Sequence, residues 1–156
     1  MLRCHPITEE EKPLICDWRY PGEYALYDMP PYEDARRAQR GFASPDLVAF
    51  TFYDGEDLIG FTTLYEEQAE VMVGIGAAPA FCGRGYGREM ICATCELSEK
   101  LYPGKALYLE VRSWNTRAIR CYEKAGFSVD GEAFTQTTGL GEGVFYRMRK
   151  VYPQGS

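Results

Sequence analysis

Cys82-Gly83-Arg84-Gly85-Tyr86-Gly87 alternates glycine with other residues between an apolar, strand-like run and a helix-like one. Such a loop lets several backbone N–H groups converge on one ligand oxygen, and a helix starting behind it adds about half a unit of positive charge. A phosphate or pyrophosphate is the expected guest, although glycines at this spacing also make a flexible turn. Two familiar nucleotide loops are excluded. A Walker A loop needs Gly-Lys followed by Ser or Thr, whereas Gly87 is followed by Arg88. The dinucleotide fingerprint needs a third glycine where this chain has Arg88 or Met90.

Proton chemistry has its own candidates. Glu110 stands in the apolar, strand-like run Leu107-Tyr108-Leu109-Glu110-Val111. Half-burial would raise its pKa and suit it to accept a proton near neutral pH, unless Arg112 or another base pairs with it. Asn115 and Tyr122 are about two helical turns apart and share a helix face. Tyr122 is either a proton donor or a core residue beside Ile119 and Ala125. His5 is the only histidine, which removes Ser-His and Cys-His nucleophile schemes. Cys92 and Cys95 form one CxxC in a helical pattern with no second pair, and are read as buried packing, not a zinc or redox site.

These residues need elements to position them. Residues 2–7 alternate like a strand, Glu9 to Trp18 reads as a helix, an irregular aromatic stretch runs to Tyr32, and Glu33 to Phe42 reads as a second helix. Leu47–Tyr53 and Leu58–Tyr65 are β-rich runs joined by Asp54-Gly55-Glu56-Asp57, a hairpin signal. Glu70–Ala77 is a third run, interrupted by Gly74 and Gly76, where a bulge or a closely approaching ligand is expected. A ligand with phosphate at one end and a chain hydrogen-bonded along this strand fits, and coenzyme A has that shape. Residues 86–101 are helical up to Pro103-Gly104, Lys105–Val111 is a buried strand, and Asn115–Ala125 is a short helix ended by Gly126. Phe127–Lys150 reads as two strands joined through residues 138–143.

With 156 residues and 46% hydrophobic content, the chain has the size of one domain. No run reaches a membrane span and the N-terminal residues lack the apolar core of a signal peptide, so a cytoplasmic protein is expected. The six scattered cysteines then read as reduced thiols. A net charge of −6 argues against non-specific nucleic-acid binding and suits a cationic substrate.

Together the motifs resemble the GNAT superfamily of acetyl-CoA-dependent N-acetyltransferases. The loop is similar to that family's pattern of Gln or Arg, two residues, Gly, one residue, then Gly or Ala, matched at Cys82, Gly85 and Gly87. Cys82 departs from the usual Gln or Arg. LEVRSWNTRAIRCYEKAGF, residues 109–127, resembles the signature of the ribosomal-protein alanine acetyltransferase branch, RimI. The resemblance implies a single α/β (α+β) domain over residues 1–156, with a mixed, mostly antiparallel sheet of about seven strands flanked by about four helices. It implies acetyl-CoA as donor with no metal, held by backbone groups of Ile75, Gly76 and Ala77 at the thioester and pantetheine. Backbone N–H groups of Cys82, Gly83, Arg84, Gly85, Tyr86, Gly87 and Arg88 would hold the pyrophosphate, and Asn115 would also bind the coenzyme. Glu110 is the implied base and Tyr122 the acid toward the departing thiolate. Glu70 is a rival base, placed like the catalytic Glu of histone-type members.

The implied acceptor is the primary amine of a small molecule. A peptide or protein amine is the alternative, and a catalytically weak acetyl-CoA-binding module is the reading from another class. The aromatic segment Trp18–Asp28 is unlike the RimI branch and has the composition of an amine pocket or of a loop packed over the sheet. Exposed final strands leave a homodimer open.

Overall fold

The computed structural model describes residues 2–138 and 141–151. In chain order its elements are β1 (Arg3–Pro6), α1 (Glu11–Cys16), α2 (Tyr32–Ala38), β2 (Leu47–Asp54), β3 (Asp57–Glu66), β4 (Glu70–Ala77), α3 (Tyr86–Leu101), β5 (Ala106–Arg112), α4 (Thr116–Lys124), β6 (Ser128–Val129), β7 (Phe134–Thr138) and β8 (Gly141–Lys150). Three 3-10 turns lie at Gly22–Tyr27, Gly41–Ala43 and Pro79–Phe81. The strands form one mixed sheet in the order β1-β2-β3-β4-β5-β8-β6, with β7 on β8. Every pairing is antiparallel except β4 with β5. The mixed, mostly antiparallel fold is as expected, with eight described strands where about seven were expected.

Period-two alternation decides which face each strand side chain meets. Val71, Val73, Leu107, Leu109 and Val111 bury against Ile91 and Cys95 of α3, with Phe127 and Met148. On the opposite face Ala49 and Phe61 pack with Ile15, Cys16 and Phe42 beneath α1 and α2. The α3 stripe Met90, Ile91, Thr94, Cys95 and Ser98 is buried, which is the spacing of one apolar helix face.

The start of α1 is fixed by a reciprocal pair. Thr8 N donates to Glu11 Oε1 (2.9 Å) and Glu11 N donates to Thr8 Oγ1 (3.2 Å), the logic of a capping box. The second helix stops earlier than its sequence pattern suggests. Gln39 adopts a left-handed conformation (φ 54°) that ends α2, a stop that glycine usually supplies. The tail holds three described strands, not two, because the short β6 lies on β8 before β7 returns to it. Residues 139–140 of the expected connection lie outside the described residues. Among the described residues no helix is long and apolar enough to cross a membrane.

Candidate active site

The lone parallel pairing is short, and the site follows from that. β4 and β5 pair only at Glu70–Ala106, Val71–Leu107 and Met72–Tyr108. β4 then continues to Ala77 on β3, while β5 continues to Arg112 on β8. Beyond Met72 the two strands part, and a cavity of about 1120 Å³ opens between them. It runs from Met72–Ala77 and Leu109–Arg112 to the glycine loop, α4 and the aromatic segment.

Backbone alternation sorts the Ile75-Gly76-Ala77 group. Ala78 N donates to Ile59 O (2.8 Å), and with the antiparallel register this turns the backbone groups of Gly74 and Gly76 toward β3. Those of Val73, Ile75 and Ala77 turn toward the opening. Gly76 therefore differs from its expected role as a backbone ligand. A Cβ there would lie 2.6 Å from Phe61 Cε1, so the glycine makes room for the Phe61 ring. The Ala77 carbonyl accepts from Tyr20 Oη (2.7 Å), leaving Ile75 to present unpaired strand backbone to the cavity.

At the other end, Gly83 (φ 74°) and Gly85 (φ 85°) adopt left-handed conformations, and Gly85 caps α3. The first N–H groups of α3 have no partner inside the helix. Cys82 Sγ donates to Ala78 O (3.5 Å), so this thiol locks the preceding turn. Tyr86 Oη donates to Asp54 Oδ2 (2.5 Å), leaving its backbone as its only expected contribution to the loop. Gly87 sits close under α4, where a Cβ would lie 3.4 Å from Cys121 Sγ. This approach brings Arg117, Arg120 and Lys124 into the cavity wall beside Arg88. The sequence reading missed these α4 cations, although spacings of three and four residues place them on one helix face.

The proton-transfer candidates meet at the same cavity, with corrections. Glu110 lines it but is exposed, so the expected half-burial is absent. Its described hydrogen-bond partner is Gln136 Nε2 at 3.4 Å, and Arg112 does not pair with it. Glu70 is not in the cavity wall. Its carboxylate is engaged by Arg147, and by Arg149 Nε at 3.3 Å. Burial would raise its pKa, but these two guanidinium groups outweigh burial and lower it. That pairing argues against a base and for a structural ion pair at the foot of the strands.

Asn115 is also more structural than expected. It is buried, its Oδ1 accepts from Ala118 N (3.3 Å) to cap α4, and its Nδ2 donates to Tyr27 Oη (2.9 Å). Each amide atom therefore makes one hydrogen bond within the protein. Tyr122 lines the cavity, its ring packed edge-on to Phe127 at 6.3 Å. Its hydroxyl has no described protein partner, and burial pushes its pKa above the ordinary tyrosine value, helped by Cys121 and Tyr27. It stays a donor through the neutral range. Tyr24, Tyr27 and Trp114 cluster beside it, with ring centroids 5.3–6.3 Å apart, so the aromatic segment is a wall of the site.

The remaining sequence candidates lie elsewhere. His5 lies on β1 at the far edge of the sheet, its Nε2 3.0 Å from Glu11 Oε2 of α1. Cys95 is buried as expected, but Cys92 is an exposed free thiol. Among the described residues no group of three or more His, Cys, Asp or Glu side chains could hold a metal ion.

Known proteins resemble this chain in part of the sequence and in the fold. A mycothiol acetyltransferase of Corynebacterium glutamicum is 27% identical over 95 residues, which is 60% of this chain and 32% of that protein. A spermine/spermidine N(1)-acetyltransferase of Bacillus subtilis is 38% identical over 50 residues, 32% of this chain and 33% of that protein. The matches thus span about a third of the length of these curated relatives. Among solved structures, a chimera of the Vibrio cholerae spermidine N-acetyltransferase SpeG with hSSAT superposes with TM-score 0.76 at 20% identity, covering 96% of this chain and 95% of that one. The V. cholerae spermidine/spermine N-acetyltransferase SpeG in complex with manganese ions gives 0.74 at 19% identity, with 96% and 92% covered. At these identities the structures show the fold alone. The model of the acetyltransferase (GNAT) family matches residues 12–127, and with the glycine loop, parted strands and α4 all in place, the chain belongs to that family.

Proposed function

We propose that the protein transfers an acetyl group from acetyl-CoA to the primary amine of a small molecule, in a ternary complex and within a single domain over residues 1–156. The observation that carries this reading is one cavity joining the glycine loop, the parted strands, Glu110 and Tyr122. The coenzyme's diphosphate would meet the backbone N–H groups from Cys82 to Arg88, with positive charge from Arg117, Arg120 and Lys124. Its pantetheine would run along the open edge of β4 at Ile75 and Ala77.

A lysine-like amine of pKa about 10.4 is neutral in only about 1 part in 2,500 at pH 7, a penalty near 4.6 kcal/mol, so a proton acceptor matters. Glu110 takes that proton, directly or through water. The amine nitrogen then attacks the thioester carbonyl carbon, and the N–H of Ile75 stabilises the oxygen's negative charge by a few kcal/mol. As the C–S bond breaks, Tyr122 donates its hydroxyl hydrogen toward the sulfur, which leaves as a thiol. The nitrogen's remaining extra proton passes, directly or through water, to the Tyr122 oxygen as the amide forms, which restores the phenol.

Thiol release from acetyl-CoA, measured with polyamines, aminoglycosides, amino acids and N-terminal peptides, tests this reading. The names of the relatives put polyamines among the first acceptors to try. Turnover with a small amine is expected. Turnover with peptides alone would favour a protein amine, the reading that the RimI-like stretch 109–127 supports. Tight acetyl-CoA binding with no acceptor-dependent release would overturn transfer and leave a binding module.

A further inference from the structure

Three arginines of β5 and β8 share the face that looks toward α1 and α2, and their surroundings differ. Arg147 and Arg149 both pair with Glu70, and Arg147 also lies 3.4 Å from Asp130 Oδ2. Arg112 is only 9% exposed, yet among the described residues it has neither an ion pair nor a side-chain hydrogen bond. Its guanidinium lies over the Phe145 ring, 4.7 Å from the centroid. Stacking engages the flat face and leaves the N–H donors around the rim unclaimed. Arg112, Phe145, Gln136 and Tyr27 line the same cavity as Glu110. A Cβ at Gly143 would collide with Arg112 Nη1, so that glycine makes room for the guanidinium at the cavity wall.

A cation withdrawn from water without a counter-charge is costly, and a protein retains one where a ligand supplies the anion. The planar fork of arginine fits a carboxylate through two parallel hydrogen bonds. Glu110 precedes Arg112 by two residues on the same strand face, so the two side-chain stems stand about 7 Å apart. One wall thus offers a negative group for an ammonium and a positive group for an acid, at a separation a small molecule spans. A linear polyamine would instead bring a second cation toward Arg112. Resting on the acetyl-transfer reading above, we propose that the acceptor is a small amine that also carries a carboxylate, held by Arg112 while its amine stands at Glu110.

The test compares kcat/KM for a set of amino acids with their carboxamides and with the amines left by removing the carboxylate. For the wild-type protein the acids are expected to be preferred by about 100-fold, the scale of a charge-assisted hydrogen bond gained or lost. Arg112→Gln should collapse that ratio toward one, and Arg112→Glu should turn it in favour of diamines, whereas a purely structural arginine would lower all acceptors alike. Since the first comparison uses the wild-type protein, it decides the matter even where a variant fails to fold. Equal turnover of acids and decarboxylated amines would overturn the proposal and leave acetyl transfer standing, as would an Arg112→Gln effect confined to the KM for acetyl-CoA. Absence of acceptor-dependent thiol release with every amine would remove the acetyl-transfer reading itself, and the proposal with it.

Discussion

Tyr122→Phe should separate chemistry from binding. The hydroxyl it removes has no described protein partner, and the ring keeps its edge-on packing against Phe127. No described hydrogen bond is broken and the ring keeps its packing against the core, so stability should change by less than about 1 kcal/mol. The loss should appear in turnover. Cysteine-like thiols titrate near 8.5 and free tyrosine near 10, so full proton transfer to the sulfur is already uphill by about 2 kcal/mol. Burial raises the Tyr122 pKa further and widens that gap. The main contribution is then a hydrogen bond to a developing thiolate, a charge-assisted bond of about 1.5–3 kcal/mol, or roughly 10- to 150-fold in kcat. The assay is thiol release at saturating acetyl-CoA, beside calorimetric measurement of the acetyl-CoA Kd. An unchanged kcat, or a Kd that rises as much as kcat falls, would refute the role. The pH profile adds a check, because a phenol pushed upward does not ionise below its ordinary range. A basic-limb loss near pH 8–9 that disappears in Tyr122→Phe would contradict the burial argument.

Other expectations concern the acids. Glu110→Gln should lower kcat/KM most for lysine-like amines, whereas Glu70→Gln should leave kcat/KM near the wild-type value. Glu70→Gln should instead act on stability, since its folded pKa is lowered; that contribution is present above the ordinary carboxylate value and fades as pH falls through the folded one. Glu11 is buried and accepts from Thr8 N, Tyr53 Oη and Thr51 Oγ1, with His5 Nε2 at 3.0 Å. Burial pushes its pKa up, yet bonds from Tyr53, Thr8 and His5 outweigh burial and hold it below the usual range. Glu11→Gln should cost about 3 kcal/mol, or about 6–12 °C in Tm by thermal melts at pH 7, with the difference shrinking as pH falls below about 4.

Patterns confined to one segment were legible in the sequence. Gly83 and Gly85 announced the loop because only glycine enters its left-handed turns easily, and the apolar alternation of β4 and β5 announced the sheet. What needed the fold was contact between distant segments. Glu110 follows the apolar run Leu107–Leu109, yet the parting of β4 from β5 leaves it exposed, and that divergence has no local signal. The resemblance implied Asn115 as a coenzyme ligand, but its amide is divided between the helix cap and Tyr27, 88 residues away in sequence. The aromatic segment showed composition without periodicity, so its place as a cavity wall rests on contacts such as Tyr20 to Ala77. Gln39 ends α2 without glycine, which is why that helix looked longer than it is.

A crystal structure with coenzyme A bound tests the central claim most directly, that the gap between β4 and β5 is the donor and transfer site. The diphosphate should lie on the N–H groups from Cys82 to Arg88, with the pantetheine along Ile75 and Ala77 and the sulfur within hydrogen-bonding reach of Tyr122 Oη. Coenzyme A bound outside the gap, or within it with its sulfur turned away from Tyr122 and Glu110, would contradict it.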